Sequence, residues 1–115
     1  VAMMQGREGL AEALLQRGAD LSLQSSDDST ALNLAATNGR EKLVELALRH
    51  GAEINERNGR DCSTALMSAA NEGHERVVDL LLQRGADTNL QNSNGGTALM
   101  FAASNGREEM VELAL

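Results

Sequence analysis

Aromatic side chains are almost absent from this chain: Phe101 stands alone, and there is no Trp, Tyr or Pro. A core without large rings has to be filled by Ala, Leu, Val and Met, which suits thin, closely spaced helices. Cysteine is nearly missing too. With Cys62 as the lone thiol no intrachain disulfide can form, and the lack of a disulfide framework points to an intracellular, cytoplasmic setting. Positive charge is scarce: 10 Lys and Arg against 17 Asp and Glu give a formal net charge of −7. That sign argues against nucleic acid, which needs a basic stripe to displace phosphate counterions. No apolar run approaches the roughly 18 residues of a membrane span, and no charged-then-apolar leader opens the chain, so no membrane insertion is expected. What the chain does have is 42% hydrophobic residues over 115 positions, enough for one packed domain and too apolar for a disordered one.

The residues present are strongly periodic. Thr30-Ala31-Leu32 returns as Thr64-Ala65-Leu66 and Thr97-Ala98-Leu99. Gly6, Gly39, Gly73 and Gly106 follow the same spacing, as do Gly18-Ala19-Asp20, Gly51-Ala52-Glu53 and Gly85-Ala86-Asp87. Each ruler steps by 33 or 34 residues, so one structural unit is being repeated. Segments 34–48 and 101–115 share Ala-Ala, Asn-Gly-Arg-Glu and Val-Glu-Leu-Ala-Leu at matching positions.

Within a unit, the signals are those of two short antiparallel helices and a turn. The Thr30 hydroxyl is placed to cap a helix over residues 31–37, and Gly39 stops it. A second helix is expected over residues 40–50, with an apolar stripe of Leu43, Val44, Leu46, Ala47 and Leu48 and a stop at Gly51. Glu41 in its first turn and Arg49 in its last match the helix dipole. Residues 52–63 lack periodicity and hold Asn, Gly, Asp and Ser, which reads as an extended turn. Ala35-Ala36, Ala69-Ala70 and Ala102-Ala103 mark the first helices, small enough for close approach of neighbours. Small first helices and Leu-rich second helices give a curved stack with the first helices inside, each unit hiding its apolar face only against the next.

The pattern Thr-Ala-Leu-x-x-Ala-Ala-x-x-Gly-[Arg/His]-Glu, then Val-[Glu/Asp]-Leu-[Ala/Leu]-Leu, then Gly-Ala-[Asp/Glu]-x-Asn resembles the ankyrin repeat over essentially the whole chain. The resemblance implies an all-α solenoid of helix–turn–helix units joined by β-hairpin-like loops, with units near 1–24, 25–58, 59–91 and 92–115, the outer two incomplete. The family's Thr-Pro-Leu-His departs here to Ala31, Ala65 and Ala98 for Pro, and to Asn33, Met67 and Met100 for His. That His usually ties neighbouring repeats together; Asn33 could bond in its place, and Met67 and Met100 could fill space. Gly95 is the expected turn glycine, whereas Asp28 and Cys62 stand in its equivalents. The 34-residue step places one extra residue within 57–63, so a bulged hairpin is expected there. Val1 aligns with Ser68 and Leu115 with Leu82. Met3, Leu10, Leu14, Met110 and Leu113 are unlike the polar face of a terminal unit, so a segment of a longer array is expected.

No residues for catalysis, cofactor binding or metal binding stand out. There is no phosphate loop, nucleophile elbow or Ser/His/Asp arrangement. His50 and His74 come from non-equivalent positions, and one Cys without paired His offers zinc no ligand set. His74 reads as a structural loop residue, as the resemblance implies for Gly-His. Glu12, Glu45, Asp79 and Glu112 form an acidic row along the second helices, with Glu45 set to pair with Arg49. The positions that vary between units are where recognition can be written. On the hairpin tips these are Ser26, Asp27 and Ser29; Arg60, Asp61 and Ser63; and Ser93, Asn94 and Gly96. Along the groove they are Thr37, Asn38, Asn71, Glu72, Ser104 and Asn105. The resemblance implies a protein–protein interaction scaffold binding through the concave face and these tips, with a polar or basic protein surface as partner. An architectural spacer in a large assembly, or a regulatory repeat domain of a multidomain protein, are the alternatives.

Overall fold

A computed structural model describes residues 2–19 and 29–104, and within 2–8 only the backbone. Six helices are described: α1 (Ala2–Gln16), α2 (Ala31–Thr37), α3 (Glu41–Arg49), α4 (Ala65–Glu72), α5 (Glu75–Gln83) and α6 (Ala98–Ser104). No strand occurs among the described residues. The architecture is all-α.

The caps form as the sequence expects. Thr30 and Thr64 are extended, and their hydroxyls accept the backbone N–H groups of Asn33 and Met67, three residues into α2 and α4. These bonds satisfy donors that a helix start otherwise leaves open. Glu41 and Glu75 lie in the first turns of α3 and α5. At the junction of α2 and α3 the chain reverses at Gly39, with φ at +69°, and Arg40 N–H returns to the Ala35 carbonyl at 2.9 Å.

The helices stack in two rows. Helices α2, α4 and α6 pack one on the next, and α1, α3 and α5 form the second row, with α2 against α3 and α4 against α5. The paired alanines lie between the inner helices: Ala36 and Ala69 are fully buried, and Ala35, Ala70 and Ala102 nearly so. Leu66, Met67, Val44, Val77, Val78 and Leu81 complete one continuous core. Because each helix is only seven to nine residues long from α2 onward, none is stable by itself; burial between neighbours holds them.

Three details differ from the expectation. Helix α1 runs unbroken through Gly6, although the equivalent Gly39 and Gly73 end their helices. Carrying the helix on costs about 1 kcal/mol for the glycine, less than nucleating a separate second helix. Met67 fills space in the core, on α4 packed against both α2 and α6, but Met100 on α6 is 55% exposed. Glu45 joins Arg84 of α5's end at 3.1 Å, and not Arg49, so the charge contact bridges neighbouring helix pairs. Glu41 and Arg76 approach similarly at 3.9 Å.

On the α1 side of the stack, an apolar groove of about 340 Å³ is lined by Leu14, Leu15, Ala31, Leu34, Leu43 and Leu46 among others. Leu14 and Leu34 are exposed there, and Leu10 is exposed elsewhere on α1.

Candidate interaction surface

The connecting segments are hairpin-like turns built by asparagine. In the turn between α3 and α4, Asn58 Oδ1 accepts the N–H groups of Arg60 and Asp61 at 3.2 and 3.0 Å, and Asp61 Oδ1 accepts that of Ser63 at 3.2 Å. The turn closes with Asn58 N–H on the Ser63 carbonyl at 2.9 Å. In the next turn Asn92 Oδ1 accepts from Asn94 and Gly96 at 3.0 and 2.8 Å, and Asn92 N–H meets the Gly96 carbonyl at 2.9 Å. The first closure spans one residue more than the second, so the extra residue of the 34-residue step lies there, as the expected bulge.

Cys62 bears the cost of that bulge. Its φ is +62°, the one positive value among the described non-glycine residues, and it occupies the place that Gly95 fills with φ at +80°. An L-residue in this region is disfavoured by roughly 1–2 kcal/mol.

The tips are joined to one another. Asp61's carbonyl accepts both the N–H and the Oγ–H of Ser93, at 2.8 and 2.9 Å. Asn92 Nδ2 donates to Ser63 Oγ at 3.4 Å, and Asp87 N–H donates to Asn55 Oδ1 at 2.9 Å. On the groove side, His74 Nε2 lies 2.9 Å from the Thr37 carbonyl. A carbonyl can only accept, so Nε2 carries the proton. Asn33 does bond, receiving the Thr30 hydroxyl on Oδ1 at 2.8 Å, but its Nδ2 is buried without a partner among the described residues. The inter-repeat tie therefore runs through His74 and the hairpins, not through Asn33.

Most of the expected recognition residues reach the surface. Arg60, Asn94, Thr37, Asn38, Asn71, Glu72, Ser93 and Ser104 are exposed, and Ser29, Asp61 and Gly96 are half-buried. Several are also fastened: Thr37 Oγ1 donates to the Asn33 carbonyl, Asn38 Nδ2 to the Leu34 carbonyl, and Ser104 Oγ to the Phe101 carbonyl. Asn71 Nδ2 donates to Glu72 Oε2 at 3.4 Å. Ser63 is a correction: at 6% exposure it is buried, its hydroxyl spent on Asn92. Ser26, Asp27 and Asn105 lie outside the described residues.

Sequence reasoning passed over Asn58 and Asn92, the two organisers of the tips. The signal was present in each Asn followed by a polar, glycine-containing turn. It also passed over Phe101, which lines a small pocket on this surface with Asn58, Asp61, Ser63, Met67 and Asn71. No group of three or more His, Cys, Asp or Glu side chains among the described residues is placed to hold a metal ion. No described helix is long and apolar enough to cross a membrane.

Comparison with known proteins agrees with this architecture. No curated protein matches the chain. The family model for ankyrin repeats (3 copies) matches residues 1–92 and 58–115, which together span the whole chain. The chain belongs to the ankyrin-repeat family.

Proposed function

We propose that this chain is a protein–protein interaction module that binds a polar or basic protein surface through its hairpin tips and the ends of its inner helices. Ankyrin repeats are generally protein-interaction modules; the finer reading rests on the bond pair from Ser93 to the Asp61 carbonyl. That pair couples adjacent tips, so Arg60 and Asn94 are offered at a fixed separation and binding freezes little additional loop motion. The formal charge of −7 favours a basic partner, as do Asp61, Glu72 and the expected contributor Asp27. The units near 25–58 and 59–91 would each supply one tip and one stretch of groove, with 1–24 and 92–115 as incomplete neighbours.

The test is the affinity of immobilised protein for basic and acidic peptide pools over a range of salt. Preference for the basic pool with affinity falling as salt rises is the expected result. A salt-independent affinity, or a preference for the acidic pool, would overturn the basic-partner reading.

One observation favours a second role as a segment of a larger assembly or longer array. The apolar groove beside α1 leaves Leu14 at 62% and Leu34 at 39% exposure. Exposed apolar surface of this kind is common where another protein surface docks.

A further inference from the structure

Between the bulged hairpin and the inner helices lies a pocket of about 110 Å³. It is well below the roughly 300–1,000 Å³ of small-molecule sites, and its size suits the end of a single side chain. Its lining divides by chemistry. Met67 and Phe101 supply an apolar wall, and Asn58, Asp61 and Asn71 supply polar atoms. The Asp61 carboxylate uses Oδ1 to accept the Ser63 N–H, it takes part in no ion pair among the described residues, and Oδ2 has no donor there. Arg60, the neighbouring cation, is outside the lining. Phe101 lies beside Gly96, where a Cβ would stand 3.1 Å from its Cζ, so the absence of a side chain at Gly96 leaves room for the ring.

We infer that this pocket receives one cationic side chain of the bound partner, a Lys or Arg, with its methylene stem along Met67 and Phe101 and its head at Asp61. The assignment rests on the interaction reading above and names a specificity position within it. Long basic side chains have the matching two-part character, an apolar stem with a charged tip. An anionic side chain would meet the Asp61 charge, and a purely apolar one would desolvate that carboxylate without replacing its water. The extra residue between Asn58 and Ser63 is what builds the site: it lengthens the turn that carries Asp61, and the equivalent turn at 92–96 has Asn94 in the corresponding place, without a charge.

The experiment is titration of the ¹⁵N-labelled chain with Nα-acetyl-lysine methylamide, Nα-acetyl-arginine methylamide and Nα-acetyl-norleucine methylamide, followed by amide chemical shifts. The expected result is saturable movement of the Ser63, Asn71 and Phe101 amides with either basic probe and much weaker movement with norleucine. Asp61→Asn keeps an oxygen for the Ser63 N–H, so the fold is retained; it should weaken the basic probes about three- to fivefold and leave norleucine unchanged. Equal binding of all three probes, no saturable movement, or an Asp61→Asn variant that binds the basic probes as well as the parent would overturn the assignment. If the basic peptide pool still binds while these amides stay unmoved, the pocket is overturned and the interaction reading stands. If the basic probes bind here and the peptide pool does not, the pocket stands and the interaction reading falls.

Discussion

Single residues carry the strain and the ties of this array. Cys62 holds a left-handed backbone that its counterpart Gly95 adopts freely. Cys62→Gly should therefore raise unfolding stability by about 0.5–1 kcal/mol, relief of the left-handed penalty less the entropy that glycine adds to the unfolded chain; urea denaturation reads it, and an unchanged or lower midpoint would count against strain at this turn. Gly39 poses the opposite case. A Cβ there would stand 2.6 Å from His74 Nδ1, on a backbone at φ +69°. Gly39→Ala should cost on the order of 2–3 kcal/mol, from the conformation and from displacing the ring that bonds Thr37. Combined with His74→Ala, the loss should be clearly less than the sum of the two single losses. Strict additivity would show that the ring and the glycine do not meet.

At the scale of elements, the close approach of inner helices decides stability. Ala69 is fully buried and Ala70 is 2% exposed on α4, which packs on α2, α5 and α6. Ala70→Leu adds volume at a buried position of this helix, and should destabilise by about 1–3 kcal/mol. Leu at the exposed Ala103 of α6, the position equivalent to Ala70, is the matched control and should change the unfolding midpoint little. Equal effects at the two sites would contradict the tight contact between α4 and its neighbours. The outer helices are joined differently, by Val44, Val77 and Leu81 within the core and by the exposed Glu45–Arg84 contact on the surface. A surface pair of this kind adds little, about 0.2–1 kcal/mol, so the apolar stripe accounts for the packing.

For the molecule as a whole, stability is shared along the stack because each helix pair lacks a core of its own. Helix α4 has neighbours on both sides, whereas α1 leaves Leu10 and Leu14 exposed. Amide exchange should follow that gradient, slowest at Leu66–Ala70 and faster in α1; a uniform exchange rate from α1 to α5 would indicate a single cooperative block instead. The same stacking serves recognition. Tips bonded to each other, Ser93 to Asp61, move as one surface, so a partner meets a preformed array rather than separate loops.

Much of this was legible before any coordinates. The 33- to 34-residue step, the capping threonines and the alanine pairs dictate helix type, boundaries and stacking order, because capping and close packing are set by residue size and hydrogen-bonding chemistry over a few positions. The extra residue within 57–63 announced the bulge for the same reason. Which atoms meet between units was another matter. That His74 reaches Thr37, that Glu45 turns to Arg84 rather than Arg49, that Ser63 is covered, and that Asp61 and Phe101 share one pocket all depend on residues about 30 to 40 positions apart in the chain. Sequence spacing governs the geometry inside a unit, but only the tertiary stacking brings those distant positions within bonding distance.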